Sequence, residues 1–323
     1  MNTRLLKLVT SVAITLSAVS VWAQDFPNKP IRLIVPFSAG GVTDVVSRAL
    51  AKAMSENLKQ PVVVENRTGG GGNIGADLIA KSAPDGYTVG IVTNGTMAAN
   101  KALYSKLTFD SEKDFTHISL LFSVPYMVAV HPSIGVNNIQ ELITLLKANP
   151  GKYSFAHGGM GTAAHFAGQG FVSAIKANVG AVAYRGEAPA VSDVLGGHVP
   201  VGVASFSSIG PYYKSGALRV LALTSNHRMS QMPDVPTLAE SGLKDFEIQP
   251  WFGISGPAGI PPAIVQRLHA AAVAGLKHPD VTKVIGDIGG NQIGNTPTEF
   301  SGFIKSEIPR WAALVKESGV KID

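Results

Sequence analysis

The sequence of 323 residues contains no cysteine. Its absence excludes disulfide scaffolds, cysteine nucleophiles, iron–sulfur clusters and thiolate zinc sites. Charged residues are also scarce, at 15% against roughly 25% in an average soluble protein. Lysines and arginines are scattered singly, without the basic stripe and stacking aromatics that nucleic-acid binding requires. We therefore expect no nucleic-acid partner.

Long uncharged runs are missing as well, except at the N-terminus. Arg4 and Lys7 begin that segment, residues 8–21 carry no charge, and small residues precede the position after Ala23. The uncharged run is shorter than the ~20 residues of a membrane-spanning helix, so a membrane anchor is disfavoured. We predict a secretory signal peptide over residues 1–23 that is cleaved after Ala23. Export of a cysteine-free chain of this size indicates a bacterial periplasmic protein.

The net charge depends on that segment. The formal charge is +5, and without Arg4 and Lys7 the chain has 25 basic and 22 acidic residues, a net charge of +3. The remaining excess is dispersed, so it does not indicate a polyanionic partner.

The rest of the chain alternates short β-branched runs with longer helical patterns. A first series predicts strand, helix, strand, helix and strand over Ile31–Pro36, Val42–Leu58, Pro61–Glu65, Asn73–Ser82 and Tyr87–Thr93. Short turns between such elements indicate parallel pairing and an α/β sheet. A second series between residues 126 and 223, which includes a helix predicted over Glu187–Leu195, predicts another sheet. Beyond it, the capping boxes Thr237–Glu240 and Thr296–Glu299 predict a short helix and a long closing helix.

Glycine-rich loops occur where predicted strands lead into helices, at residues 37–44, 157–162 and 184–187. Ligands of α/β sheets bind at such places, beyond the carboxyl ends of the strands. Unpaired backbone N–H groups and the positive end of a helix make each loop an anion site without a charged side chain. The sequence therefore predicts an anion site that is built largely from backbone amides.

A nucleotide site is a weaker interpretation of the glycines. Gly70–Gly75 matches G-x-G-x-x-G between a strand and a helix. The acidic residue expected ~20 positions later is missing, and the second βα unit is not the usual place for this motif. No Lys-Ser or Lys-Thr follows, so a P-loop is excluded. A tight turn with close backbone packing is the favoured interpretation.

We predict no catalytic residue, no metal site and no cofactor. Gly253–Pro257 fails G-x-S-x-G at its last position, and no H-E-x-x-H occurs. The separation of His157 and His165 predicts that they lie two turns apart on a helix, too far for one metal. We expect His165 to face inward and to bond a backbone carbonyl or a ligand oxygen.

Three charged residues near the glycine loops leave alternatives open. Asp44 and Asp193 are each placed in the first turns of a helix, where they either compensate the helix dipole or orient a ligand-binding loop. Arg185 either pairs with a ligand carboxylate or is a surface residue.

Several of these stretches together resemble the solute receptors of tripartite tricarboxylate transporters, also called the Bug family. Residues 36–44 look like P-F-x-x-G-G-x-x-D, and residues 184–197 follow Y-[KR]-G-x-x-P-A…D-x-x-G-G. Further similar stretches are 64–67, 83–88, 218–222, 233–240 and 251–253. The resemblance covers essentially all of residues 26–320.

This resemblance implies a two-lobed α/β fold of the periplasmic-binding-protein type (type II-like), with a mixed sheet flanked by helices in each lobe and a ligand cleft between them. The first lobe would combine residues 24–124 with 226–323, and the second would be 125–225. It also implies a monomeric periplasmic receptor that captures a small carboxylate or dicarboxylate for the membrane permease subunits of a transporter. The alternatives are a ligand-presenting sensor for a membrane kinase and an exported carboxylate-processing enzyme.

The resemblance also implies which residues bind the ligand. Two departures from the family pattern are notable. Ala39 replaces a common proline, and Ala204–Phe206 stands where many relatives have an acidic residue that could meet a ligand amine, which favours a plain carboxylate. The predicted ligand-binding residues are Phe37, Ser38, Gly40, Gly41, Thr43, Asp44, Thr93, Asn94, Thr96, Gly158, Gly161, Thr162, His165, Tyr184, Arg185, Gly186, Asp193 and Ser205.

Overall fold

The computed structural model describes residues 26–319. The predicted signal peptide over residues 1–23 and its cleavage after Ala23 lie outside the described residues. Within the described range, no helix has both the length and the apolar character needed to cross a membrane. The described residues form two mixed β-sheets flanked by helices, which confirms the predicted fold class.

The first sheet contains strands from both the beginning and the end of the described chain. Its strands are β1 (Ile31–Val35), β2 (Val62–Asn66), β3 (Thr88–Thr93), β4 (Phe115–Ser123), β10 (Trp251–Pro257) and β11 (Asn291–Gln292). They pair in the order β11-β4-β10-β3-β1-β2. β1 is parallel to β2 and β3, whereas β10 runs antiparallel to β3 and β4. The chain thus returns to this sheet after completing the second one.

The second sheet is built from the middle of the chain. Its strands are β5 (Tyr126–Val130), β6 (Ser154–His157), β7 (Gly180–Ala183), β8 (Val201–Ser205) and β9 (Arg219–Leu223). They pair in the order β7-β6-β8-β5-β9. β6 is parallel to β7 and β8, and β5 is antiparallel to β8 and β9.

Helices cover both sheets because their apolar residues recur at helical spacing. Val46, Leu50 and Met54 lie one turn apart and are almost fully buried against the first sheet. The α-helices are α1 (Val42–Leu58), α2 (Asn73–Ala80), α3 (Asn100–Leu103), α4 (Ile139–Ala148), α5 (Ala163–Ala174), α6 (Glu187–Leu195), α7 (Phe206–Lys214), α8 (Pro262–Leu276), α9 (Pro279–Asp287) and α10 (Pro297–Ser318). Short 3₁₀ turns occupy Gly70–Gly72 and Pro132–Ile134, and a π-turn occupies Gly95–Ala99.

The closing helix α10 contacts both sheets. It begins at the predicted capping box, in which the Thr296 and Glu299 side chains each accept the other's backbone N–H. Phe300 packs edge-on against Trp251 of the first sheet, and Trp311 packs edge-on against Phe166 of α5. This helix therefore bridges the two halves of the fold.

The other predicted capping box does not open a helix. Thr237 and Glu240 exchange the expected hydrogen bonds, but the following residues form only turns. The Leu238 N–H donates to the Leu223 carbonyl at 2.9 Å, and Gly242 adopts a left-handed φ of 96°. Pairing with the edge of β9 and the glycine that follows end the helical geometry after one turn.

Candidate functional site

A cavity of about 430 Å³ lies between the two sheets. Loops of the first sheet form one wall, and the start of α5 forms the opposite wall. Tyr126 and Pro250, which lie where the chain passes between the two sheets, form the base. Among the described residues that line it, none carries a charged side chain. They are Phe37, Thr43, Gly71, Thr93, Asn94, Gly95, Ala99, Asn100, Leu103, Tyr104, Tyr126, Met160, Gly161, Thr162, Ala163, Phe166, Pro250, Phe252 and Trp311.

The loop between β1 and α1 presents a helix N-terminus to this cavity. Gly41 is the N-cap residue, and no side chain caps the first N–H groups of the helix. Gly40 adopts a φ of +81°, a conformation that favours glycine. Thr43, in the first turn, lines the cavity. A helix start with free N–H groups beside a cavity is an arrangement that binds anions.

Asp44 braces that loop from behind. Its carboxylate accepts from the Gly40 N–H at 2.9 Å, from Arg48 Nε at 3.0 Å and from Asn66 Nδ2 at 2.8 Å. Asn66 Nδ2 also donates to the Phe37 carbonyl at 2.9 Å. The Arg48 hydrogen bond, aided by those from Gly40 and Asn66, lowers the pKa of Asp44 to about 2 despite its burial. These bonds favour the loop-orienting interpretation of Asp44, which does not itself line the cavity.

The end of β3 contributes Thr93 and Asn94 to the lining. Thr96 lies behind them, where its Oγ1 accepts from the Thr93 N–H at 3.0 Å. Asn100 also lines the cavity and donates to the Gly71 carbonyl at 3.2 Å. Thr96 therefore braces the turn, whereas Asn100 is a lining residue that sequence reasoning missed.

The glycine run approaches its neighbours too closely for side chains. A Cβ atom on Gly71 would lie 2.7 Å from Tyr104 Oη, and one on Gly75 would lie 2.8 Å from the Pro36 Cβ. Gly71 lines the cavity. This packing supports the tight-turn interpretation, because it accounts for the glycines without a nucleotide.

The loop between β6 and α5 forms the opposite wall. Thr162 is the N-cap of α5, where its Oγ1 accepts from the His165 N–H at 3.3 Å and donates to the Gly159 carbonyl at 2.7 Å. Met160 and Gly161 line the cavity with Thr162. Two helix starts from different sheets thus border the same space.

The predicted separation of the two histidines is wrong. His157 ends β6 and His165 lies in the first turn of α5, and their rings stack with centroids 4.6 Å apart. The glycine loop reverses the chain, so the helix start folds over the strand end. His165 Nδ1 accepts from the Gly161 N–H at 3.3 Å instead of bonding a carbonyl. Burial, followed by the neighbouring His157, lowers the pKa of His165 to about 4. Within residues 26–319, no three metal-ligating side chains form a cluster.

The placement of Asp193 in the first turns of a helix is also wrong. Asp193 lies in the last turn of α6, where a carboxylate does not compensate the helix dipole. It accepts instead from Tyr184 Oη at 2.5 Å. Burial, with the Asp193 hydrogen bond and charge, raises the pKa of Tyr184 to about 12. This pair braces the loop that contains Arg185, which is exposed, and Gly186, whose N–H donates to the Gly158 carbonyl.

Glu187 is an acidic residue that sequence reasoning missed. Its Oε2 accepts from the Ser205 N–H at 3.0 Å, from Ser205 Oγ at 2.6 Å and from Ser208 Oγ at 2.7 Å. An acidic residue at the first position of a helix ordinarily indicates compensation of the helix dipole. The local pattern therefore does not predict the hydrogen bonds from Ser205 and Ser208.

Only some of the predicted ligand-binding residues line this cavity. Those that line the cavity are Phe37, Thr43, Thr93, Asn94, Gly161 and Thr162. The other predicted residues do not line it, and they are Ser38, Gly40, Gly41, Asp44, Thr96, Gly158, His165, Tyr184, Arg185, Gly186, Asp193 and Ser205. The aromatic lining residues Tyr126, Phe166, Phe252 and Trp311 come from distant parts of the chain, and no local pattern marks them as cavity residues.

Comparison with known proteins agrees with this architecture. The sequence model described as "Tripartite tricarboxylate transporter family receptor" matches residues 46–320. Protein BugT of Bordetella pertussis is 36% identical over 322 residues, which is 99% of each chain. The R. palustris protein Rpa4515, solved with adipate, superposes with a TM-score of 0.75 at 31% identity over 92% of this chain and 99% of its own. MatC of Rhodopseudomonas palustris, solved with malate, gives 0.71 at 29% identity over 90% and 100%.

The hydrogen bonds of Asp44 predict a stability effect. Asp44→Asn should lower the free energy of unfolding by about 2 kcal/mol, because it removes the charge that strengthens the hydrogen bonds from Gly40, Arg48 and Asn66. Chemical denaturation would measure the change. Asp280→Asn, which removes an exposed carboxylate bonded to Lys52, is the matched control and should have little effect. Equal effects of the two substitutions would contradict the bracing role.

The lowered pKa of His165 predicts acid sensitivity. The unfolded chain takes up a proton near pH 6.5, whereas the folded chain resists protonation until pH 4, so stability falls as the pH drops through this window. For this group alone we expect a loss of about 2 kcal/mol between pH 7 and pH 5. His165→Asn should reduce the pH dependence measured by urea unfolding, and the exposed His198→Asn should leave it unchanged. An unaltered slope in His165→Asn would refute the assignment.

Proposed function

The chain belongs to the tripartite tricarboxylate transporter family of receptors, and from this premise we propose that it captures a small carboxylate or dicarboxylate anion in the periplasm and presents it to the membrane permease subunits of such a transporter. The observation that carries the proposal is the uncharged cavity onto which the starts of α1 and α5 open. Each start offers N–H groups and about half a positive charge to an anion.

The size and walls of the cavity support this ligand class. A volume of about 430 Å³ lies in the range of small-molecule sites. Phe37, Phe166 and Phe252 offer apolar surface to a methylene chain, while Thr43, Thr93 and Asn94 offer polar groups near the α1 start. The adipate and malate of the two related structures are small dicarboxylates.

Binding is proposed to close two lobes around the ligand. The predicted lobes, residues 24–124 with 226–323 and residues 125–225, would join where neighbouring segments cross between the sheets. Val124 N–H donates to the Pro250 carbonyl at 3.0 Å, and Tyr126 N–H donates to Thr224 Oγ1 at 2.9 Å. Such paired crossings allow hinge closure, which would present a closed form to the permease.

We also propose that the chain acts as a monomer and does not alter its ligand chemically. The family is one of solute receptors. Among the described lining residues, the side chains are apolar, hydroxyl, amide and phenol groups, and no base accompanies a hydroxyl nucleophile.

A carboxylate panel tests the ligand class. We expect at least one of succinate, malate, adipate and citrate to bind the purified protein with a micromolar or lower dissociation constant in calorimetry. Ligand at a hundred times its dissociation constant should stabilise the fold by about 2.7 kcal/mol and raise the melting temperature. Mass spectrometry of co-purified ligand under native conditions would identify the physiological compound. Stabilisation by other solutes but by no carboxylate would overturn the proposal.

Gly41→Asp tests the α1 start. The backbone here has a φ of −75° and ψ of 166°, and the nearest atom to an added Cβ is 3.5 Å away, so the substitution fits. Asp is a favoured N-cap residue, so the variant should fold at least as stably as the parent while its carboxylate occupies the anion site. Affinity for the bound carboxylate should fall by at least about a hundredfold. Gly41→Ala, which adds the Cβ without charge, should bind the carboxylate far more tightly than Gly41→Asp. Equal affinity of the two variants would exclude this helix start from the site.

A further inference from the structure

Glu187 does not line the cavity, but groups of the second half hold its side chain close to residues that do. Ser205 ends β8 and Ser208 lies in the first turn of α7, and both hydroxyls donate to Glu187 Oε2. On the other side, a Cβ atom on Gly158 would lie 3.0 Å from Glu187 Cγ. The side chain is therefore held between the end of β8 and the loop that begins α5.

All three bonds given above engage the same oxygen. The Ser205 N–H, Ser205 Oγ and Ser208 Oγ donate to Oε2 and leave Oε1 outside this set. A carboxylate has acceptor capacity on both oxygens, so Glu187 is oriented through Oε2 and keeps the acceptor capacity of Oε1.

Tyr126 connects this carboxylate to the cavity. It is the register partner of Ser205 across the β5–β8 pair, and it lines the cavity. Burial and then the charge of Glu187 raise the pKa of the Tyr126 hydroxyl. The negative charge of Glu187 therefore acts on the part of the cavity next to β5 and β8.

This charge makes the two sides of the cavity electrostatically different. The α1 start favours a ligand carboxylate, and so does the start of α5. A second ligand carboxylate directed towards Ser205 would face the charge of Glu187. An N–H or O–H group in that position would instead find an acceptor, and an ammonium group would also gain from opposite charge.

We infer that Glu187 is a specificity-determining residue that selects carboxylates bearing an ammonium or hydroxyl substituent, with ammonium preferred, over the unsubstituted carboxylate. This inference rests on the proposed function. It also revises the expectation drawn from Ala204–Phe206, because the acid that this stretch lacks is supplied by Glu187 and held by Ser205.

Three ligands that differ at one carbon provide the test. Succinate, malate and aspartate share a four-carbon chain and carry hydrogen, hydroxyl or ammonium at C2. Calorimetry on the purified protein should give the tightest binding for aspartate and the weakest for succinate. Glu187→Gln, which keeps an acceptor oxygen for the serines, should reduce the aspartate-to-succinate affinity ratio by about tenfold or more and the malate ratio by less.

Two further variants separate charge from structure. Glu187→Asp keeps the charge and should keep the order of affinities. Glu141→Gln removes an exposed carboxylate of α4 in the same half of the fold and should leave both ratios unchanged.

The outcomes distinguish this inference from the proposed function. If no carboxylate binds the parent protein, the proposed function fails. If carboxylates bind but the parent prefers succinate, or if Glu187→Gln folds and retains the parent ratios, Glu187 has a structural role only and the inference is overturned. Should Glu187→Gln fail to fold, the affinity order of the parent protein and of Glu187→Asp still decides.

Discussion

Leaving the start of a helix uncapped beside the cavity is the constraint on which the rest of the site depends. At α1 the cap position is glycine, so no side chain competes for the first N–H groups. A capping side chain stabilises a helix by about 1 kcal/mol, and the glycine at position 41 forgoes that stabilisation. The free groups and the helix dipole together supply the positive potential that the uncharged lining lacks. The scarcity of charged residues in the sequence is consistent with a site of this kind.

Such a site requires loops that keep their shape without a ligand, and polar braces behind the lining provide this. Asp44 joins Gly40, Arg48 and Asn66, and Tyr184 donates to Asp193. These carboxylates accept hydrogen bonds from protein donors, so they do not neutralise the positive potential in the cavity. A carboxylate near the ligand that kept an oxygen free of protein donors would lower the positive potential in the cavity. The position of Glu187 matters for this reason.

Much of this arrangement could be predicted from the sequence because it is local. Helical spacing gave the bounds of α1 and α6 as they are observed, and glycines after strands located the loops. Contacts between distant segments could not be predicted: Trp311 and Phe252 reach the cavity only through the packing of α10 and the return of β10. The prediction that the two histidines lie two turns apart failed for the same reason, since periodicity does not reveal that a glycine loop reverses the chain. The error on Asp193 was of another kind, because counting along α6 already placed it in the last turn.

The way in which α10 joins the two halves constrains any closure. Glu307 accepts from Trp251 Nε1 and from Trp311 Nε1, both at 2.7 Å, so a buried carboxylate ties the helix to β10 of the first sheet. α10 contacts the second half through Trp311 and Phe166, an edge-on aromatic pair with centroids 5.6 Å apart, and through an exposed hydrogen bond from Ser173 Oγ to Glu317 Oε2 at 3.1 Å. Hydrogen bonds to a buried carboxylate are directional and costly to break, whereas apolar contacts are not directional and an exposed hydrogen bond can be replaced by one to water. The helix should therefore move with the first sheet, and the second half should slide over Trp311, which is itself a wall of the cavity. A ligand that fills the space beside this indole would act on the surface along which the two halves would move in the proposed closure.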